Sequence, residues 1–331
     1  MAPISVIGAG GWGTALAIHL AAQGHAVALW CAFEDLALRL NEKRENTQFL
    51  PGVSIPYGVK ITASAPDAAD AELLVFAVPT PYIRETMVRI GRELPQGRIM
   101  VSVSKGIEVE SLLRPSQILE EFFADQRPVV LSGPSHAEEV ARKLPTSVVV
   151  ACRDRRQATR VQRIFSSPLF RVYSSGDVTG VELCGALKNV IGIASGISDG
   201  LGFGDNSKAA LLTRGLAEIA RLGVALGARE ETFRGLAGMG DLITTCVSGF
   251  GRNHALGFMI GQGKTLQEAK GAMGGMVAEG VLTSCSALKL AQAHSIEMPI
   301  THEVYRILFE GKDPKTAVTD LMCRELKSES G

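Results

Sequence analysis

A chain of 331 residues is too long for one ordinary core, so length alone predicts two domains. Its 46% hydrophobic and 21% charged residues describe a globular protein rather than a disordered or fibrous one. Thirty-four basic side chains balance 34 acidic ones, which leaves none of the basic excess that nucleic acid or an anionic membrane would require.

The N-terminus, Met-Ala-Pro-Ile-Ser-Val-Ile-Gly, has no basic leader and runs directly into a strand and a glycine turn, so it reads as structure and not as a signal peptide. Strands are expected at Ile4–Ile7, Ala26–Trp30, Leu73–Val78, Ile99–Val103, Val129–Leu131 and Ser147–Ala151. Their continuous Val, Ile and Leu content suits a parallel sheet buried on both faces. Helical segments fall between most of them, beginning with Trp12–Gln23 and closed by Gly24 as a C-cap glycine. Asn41–Gln48 reads as a helix end and a surface loop, and Thr80-Pro81 as an N-cap followed by Pro at the first helical position. After a last strand at Phe170–Tyr173 the pattern turns helical, with helices expected at Val178–Ser198, Lys208–Leu226, His254–Ile260, Leu282–Ala293 and His302–Phe309. The fold class is therefore α/β: a Rossmann-like, doubly wound, mostly parallel sheet over residues 1–175, then an all-helical domain over 176–331. No apolar stretch reads as the 18 or so residues of a transmembrane helix, so no membrane insertion is expected. Six cysteines without a CxxC pair fit a reducing cytoplasm and specify neither a disulfide frame nor a metal site.

Chemistry enters at Gly8-Ala9-Gly10-Gly11-Trp12-Gly13, a GxGxxG turn between a strand and a helix. Gly8 permits the tight turn, Gly10 lets the backbone approach a pyrophosphate, and Gly13 lets helix and strand pack closely. The ribose-reading position, about 20 residues on, holds Trp30-Cys31-Ala32-Phe33-Glu34-Asp35, with no arginine ready for a 2′-phosphate, which leaves NAD and NADP both open. Lys105 in Ser102–Glu108 and the Ser132–Glu138 run lie at the carboxyl ends of strands, where open α/β sheets bind ligands. Ser135 with Glu138 fits a capping box, and His136 reads as exposed. Lys188 is the only basic residue between Arg171 and Lys208. On a helix its neighbours are Cys184, Ile191 and Gly192, an apolar setting that lowers a lysine pKa toward the range of a general acid or base; the plainer reading is a lysine that snorkels to water. Further on, Gly238–Cys246 carries Asp241 and two hydroxyls, and Arg252-Asn253 offers a planar fork suited to a phosphate dianion.

In this order the motifs resemble the bacterial type of NAD(P)-dependent glycerol-3-phosphate dehydrogenase, from about Ile4 to Met322: Gly8–Thr14, Ala77-Val78-Pro79, Ser104–Glu108, Ser132–Glu139, Gly185–Asn189, Thr213–Glu218, Gly238–Leu242, Arg252-Asn253 and Val277–Gly280. The resemblance implies catalytic roles for Lys188, Lys105 and Asp241, with Lys188 as the proton-transfer residue. It implies substrate contacts at Lys105, Gly133, Ser135, Lys188, Asn189, Asp241, Thr245, Arg252 and Asn253. Cofactor contacts are implied at Gly8, Gly10, Gly11, Trp12, Gly13, Phe33, Lys105, Ala137, Arg252, Val277 and Glu279, for NAD or NADP and with no metal. Ala32-Phe33 replaces a His-Arg pair common among bacterial members, and Gly251 stands where a serine is often found. The implied reaction interconverts dihydroxyacetone phosphate, a small phosphorylated triose, and sn-glycerol 3-phosphate for glycerophospholipid synthesis. A homodimer is expected by analogy. The competing readings are another hydroxyacid-type reductase and a non-catalytic dinucleotide-sensing regulator.

Overall fold

The computed structural model describes residues 2–94, 96–123, 126–326 and 328–329. Ten strands occur among them: β1 (Pro3–Ile7), β2 (Ala26–Trp30), β3 (Glu45–Asn46), β4 (Leu50–Ser54), β5 (Val59–Thr62), β6 (Leu73–Phe76), β7 (Ile99–Ser102), β8 (Val129–Ser132), β9 (Thr146–Ala151) and β10 (Phe170–Ser175). Eight form one sheet in the order β10-β9-β8-β7-β6-β1-β2-β5, and β3 and β4 form a separate antiparallel pair. Every pairing in the large sheet is parallel except β8 with β9. Residues of β6 are buried on both faces, as its unbroken Leu-Leu-Val-Phe sequence dictates. One apolar cluster joins Val6, Leu29, Val75 and Leu131 to the helix Gly11–Ala22, and another packs Phe76 and Met100 against Ile118 and Leu119.

Beyond Ser175 the described residues contain helices and no strand. The helix Val178–Gly200 is the axis of this half, with 18 of its residues buried, and Asp177 caps it by accepting the Gly180 amide at 2.9 Å. It is long and apolar enough to cross a membrane, which corrects the reading that no stretch reaches that length; 94% of its apolar window lies inside the protein. Its glycines let the helix Arg252–Gly261 press against it backbone to backbone. A Cβ on Gly196 would lie 2.0 Å from the His254 carbonyl oxygen, and one on Gly257 2.1 Å from that of Ile193. The two halves are stitched by Glu182 on the long helix, which accepts hydrogen bonds from the Ser116 amide at 2.9 Å and its hydroxyl at 2.6 Å, and pairs with Arg114.

Several local expectations are overturned. Asn41–Gln48 is not a plain surface loop: Asn46 is buried in β3. The edge strand β5 escapes notice because its four residues carry only a weak alternating signal. Thr80 does not cap a helix with its side chain; it sits in a short 3₁₀ turn, Thr80–Tyr82, ahead of the helix Ile83–Ile90. Ser135 forms no capping box either, since its hydroxyl donates to the Gly133 carbonyl at 2.8 Å and the next helix begins at Ala137 behind His136.

Candidate active site

The glycine turn stands at the carboxyl end of β1, and its geometry answers whether a dinucleotide fits. Gly8 adopts φ +111°, and a Cβ there would lie 2.7 Å from the Ala77 carbonyl oxygen. A Cβ on Gly13 would sit 1.9 Å from the Gly8 carbonyl oxygen, whereas one on Gly10 would meet nothing within 4 Å. Gly10 is thus the open face of the turn, behind a helix start that has no side-chain cap and no acidic residue in its first turn. Free amides facing open space, without a competing anion, suit a pyrophosphate. Asn46 fixes this turn by donating to the Ala9 carbonyl at 2.9 Å and the Thr14 hydroxyl at 2.8 Å, while its own oxygen accepts the Phe49 amide at 3.2 Å. Nothing in the polar run around Asn46 marks it for this task. Trp12 follows the turn half-buried, and Phe33, 64% exposed, ends the β2 side of the crevice at the start of the helix Glu34–Lys43.

The Gly133–Ala137 segment after β8 connects this turn to the second half of the site. On one side the Ala137 methyl lies 3.8 Å from where a Cβ of Gly11 would be. On the other, the Gly133 carbonyl accepts from the Lys105 ammonium at 3.0 Å. Lys105 also pairs with Asp241 at 2.7 Å, and the second oxygen of that carboxylate holds Lys188 at 2.8 Å. Lys188 further donates to the Thr245 hydroxyl. Asp241 and Thr245 share a face because they are four apart on the helix Asp241–Val247. Gly185 and Gly192 on the long helix make room for this convergence: a Cβ on Gly185 would lie 3.4 Å from the Lys105 side chain, and one on Gly192 2.8 Å from that of Thr245.

Asp241 and Thr245 are almost wholly buried and Lys188 is 8% exposed, so the ammonium does not snorkel. Burial lowers the Lys188 pKa, the Asp241 charge opposes that shift, and the Lys105 charge adds to it, leaving the value at about 8. His136 is half-buried rather than exposed, with Nε2 enclosed and unpartnered, and burial and the neighbouring Lys188 charge both lower its pKa. Its sequence position at a helix start gave no hint of the ring packing 5.8 Å from Phe250 of the other half.

A second chain of contacts runs from Asn189, whose amide nitrogen donates to the Gly185 carbonyl at 3.3 Å and whose oxygen accepts from Asn253 at 3.0 Å. Asn253 in turn accepts the Gly280 amide at 3.0 Å, which pins the start of the helix Gly280–Ala293 and the Val277–Glu279 approach to it. Glu279 feels the charges of Arg252, Lys105 and Lys188, yet desolvation is the larger effect and raises its pKa to about 7. Arg252 opens its helix exposed and makes no ion pair among the described residues, so its guanidinium is available to a dianion.

Two family models, describing the N-terminus and the C-terminus of NAD-dependent glycerol-3-phosphate dehydrogenase, match residues 3–158 and 177–319. The chain belongs to that family. Among its relatives, the glycerol-3-phosphate dehydrogenase [NAD(P)+] of Moorella thermoacetica is 51% identical over 322 residues, spanning 97% of this chain and 96% of the relative. That of Pelotomaculum thermopropionicum is 50% identical over 325 residues, 97% and 93% of the two chains. The crystal structure of glycerol-3-phosphate dehydrogenase from Coxiella burnetii superposes with a TM-score of 0.91 at 38% identity, covering 98% of this chain and 99% of the other.

Proposed function

We propose that this chain interconverts dihydroxyacetone phosphate and sn-glycerol 3-phosphate with NAD(P)H as redox partner, as its family membership and nearly full-length relatives support. The observation that carries the mechanism is the buried Lys188 ammonium, held by Asp241 and Thr245 where the glycine-turn segment and the helical half meet. When bound, the nicotinamide supplies or accepts the hydride at C2 of the triose. Lys188 donates a proton to the C2 oxygen during reduction and removes one during oxidation. Lys105 and Asp241 set its pKa from opposite directions. Arg252 and Asn253 clamp the phosphate, with Asn189, Thr245, Ser135 and Gly133 lining the triose, so that C2 stays aligned for transfer. Gly8–Gly13, Ala137, Val277 and Glu279 hold the cofactor. Residues 1–175 bind dinucleotide and residues 176–331 bind substrate.

The absence of an arginine at Ala32-Phe33 favours NAD or dual use over a strict NADPH requirement. Supply of sn-glycerol 3-phosphate for glycerophospholipid synthesis, a cytoplasmic location and a homodimer complete the reading, each by family analogy. The direct test is loss of NADH or NADPH absorbance on adding dihydroxyacetone phosphate to the purified protein. Turnover is expected there and not on 2-keto acids; the opposite result would assign the site to a hydroxyacid-type reductase.

A further inference from the structure

The helix Arg155–Phe165 packs against the sheet through Ala158, Val161 and Phe165 and turns Arg156, Arg160 and Arg163 to solvent. These three stand at i, i+4 and i+7, on one face of the helix. Like charges at that spacing repel, and elsewhere the chain avoids the arrangement: Arg39 pairs with Asp35, Arg234 with Glu230 and Arg306 with Glu310, each four residues apart. Here the nearby carboxylate is Glu72, engaged by Arg160 at 3.0 Å, while Arg155, Arg156 and Arg163 make no ion pair among the described residues. The four arginines, His25 and Glu72 line an open concavity of about 940 Å³. His25 and Glu72 immediately precede β2 and β6, so this concavity lies at the amino edge of the sheet, opposite the carboxyl edge that carries the glycine turn and Lys105.

We infer that this arginine-lined concavity is a second anion site, separate from the catalytic cleft, that takes a small soluble ligand bearing two or more phosphates. Guanidinium forks bind phosphate oxygens in pairs, and several unpaired forks facing one hollow suit a clustered charge better than a single monoanion. The concave shape and small-molecule scale favour a soluble ligand over a flat lipid surface.

Inorganic tripolyphosphate is the probe, with calorimetric titration of the full chain in an Arg252→Ala background so that the catalytic phosphate clamp does not contribute. Binding is expected to persist there and to weaken by about tenfold or more when Arg156→Glu and Arg163→Glu are added, since each lost charge-assisted bond costs that order of affinity. Arg171→Glu, an exposed arginine on β10, controls for net charge and should leave affinity within about twofold. The Arg156→Glu/Arg163→Glu chain with Arg252 intact should turn over as the wild type does, which establishes that it is folded. Binding unchanged by the double reversal, abolished by Arg252→Ala alone, or weakened equally by Arg171→Glu would overturn the site. Arginine-dependent association with phosphatidic acid vesicles in a chain that ignores tripolyphosphate would overturn the soluble-ligand assignment.

Discussion

The turn from Gly8 to Gly13 uses adjacent residues, whereas the cluster around Lys188 brings together Lys105 and Asp241, 136 positions apart in the chain. The turn works through backbone amides and missing side chains, so its chemistry is fixed once a strand and a helix flank it. The lysine cluster works through burial and charge, properties that no member has alone. A substitution in the turn should therefore act through fit, and one in the cluster through protonation.

The comparison breaks most severely at Gly13. With a Cβ placed 1.9 Å from a backbone oxygen, Gly13→Ala should lose about 4 kcal/mol or more of stability, read as a collapse of the unfolding midpoint in urea. A variant as stable as the wild type would mean the turn is looser than described. Next comes Lys188→Ala, expected to reduce kcat by about 10³-fold, within the range for loss of a general acid, with NADH affinity nearly unchanged by fluorescence titration. Retention of most of the wild-type kcat would remove Lys188 from the chemistry. Arg252→Lys keeps the charge but loses the fork, so kcat/KM for dihydroxyacetone phosphate should fall by about 10- to 100-fold, the order of one or two charge-assisted hydrogen bonds. An unchanged kcat/KM would argue against the clamp. The smallest effect belongs to Gly10→Ala, which has open space around its Cβ. That protein should fold normally and bind cofactor only a few-fold more weakly, unlike its neighbour three residues on.

The same contrast explains what the sequence discloses. Parallel strands such as Leu73–Phe76 are legible because burial on both faces leaves an unbroken apolar run, and the glycine turn because its spacing encodes its geometry. Lys188 is conspicuous as a lone cation in an apolar helix, yet the residues alone leave open whether it snorkels; Asp241 and Thr245 decide that only after folding. Asn46 and His136 are misread because each looks like a surface polar residue until a distant element covers it: β4 and the glycine turn for one, Phe250 for the other. The capping readings at Thr80 and Ser135 fail for a related reason, since their local patterns fit a cap while the tertiary path starts each turn elsewhere.

The central claim, that the Lys188 ammonium exchanges the substrate proton, is tested most directly by the pH dependence of kcat in both directions. A general acid must carry its proton and a general base must have lost it, so kcat for reduction should fall as pH rises through about 8 while kcat for oxidation rises through the same point. Asp241→Asn removes the charge that holds that pKa up and should move both limbs to lower pH. Profiles that are flat between about pH 7 and about pH 9, or that move in the same sense in the two directions, would contradict the account.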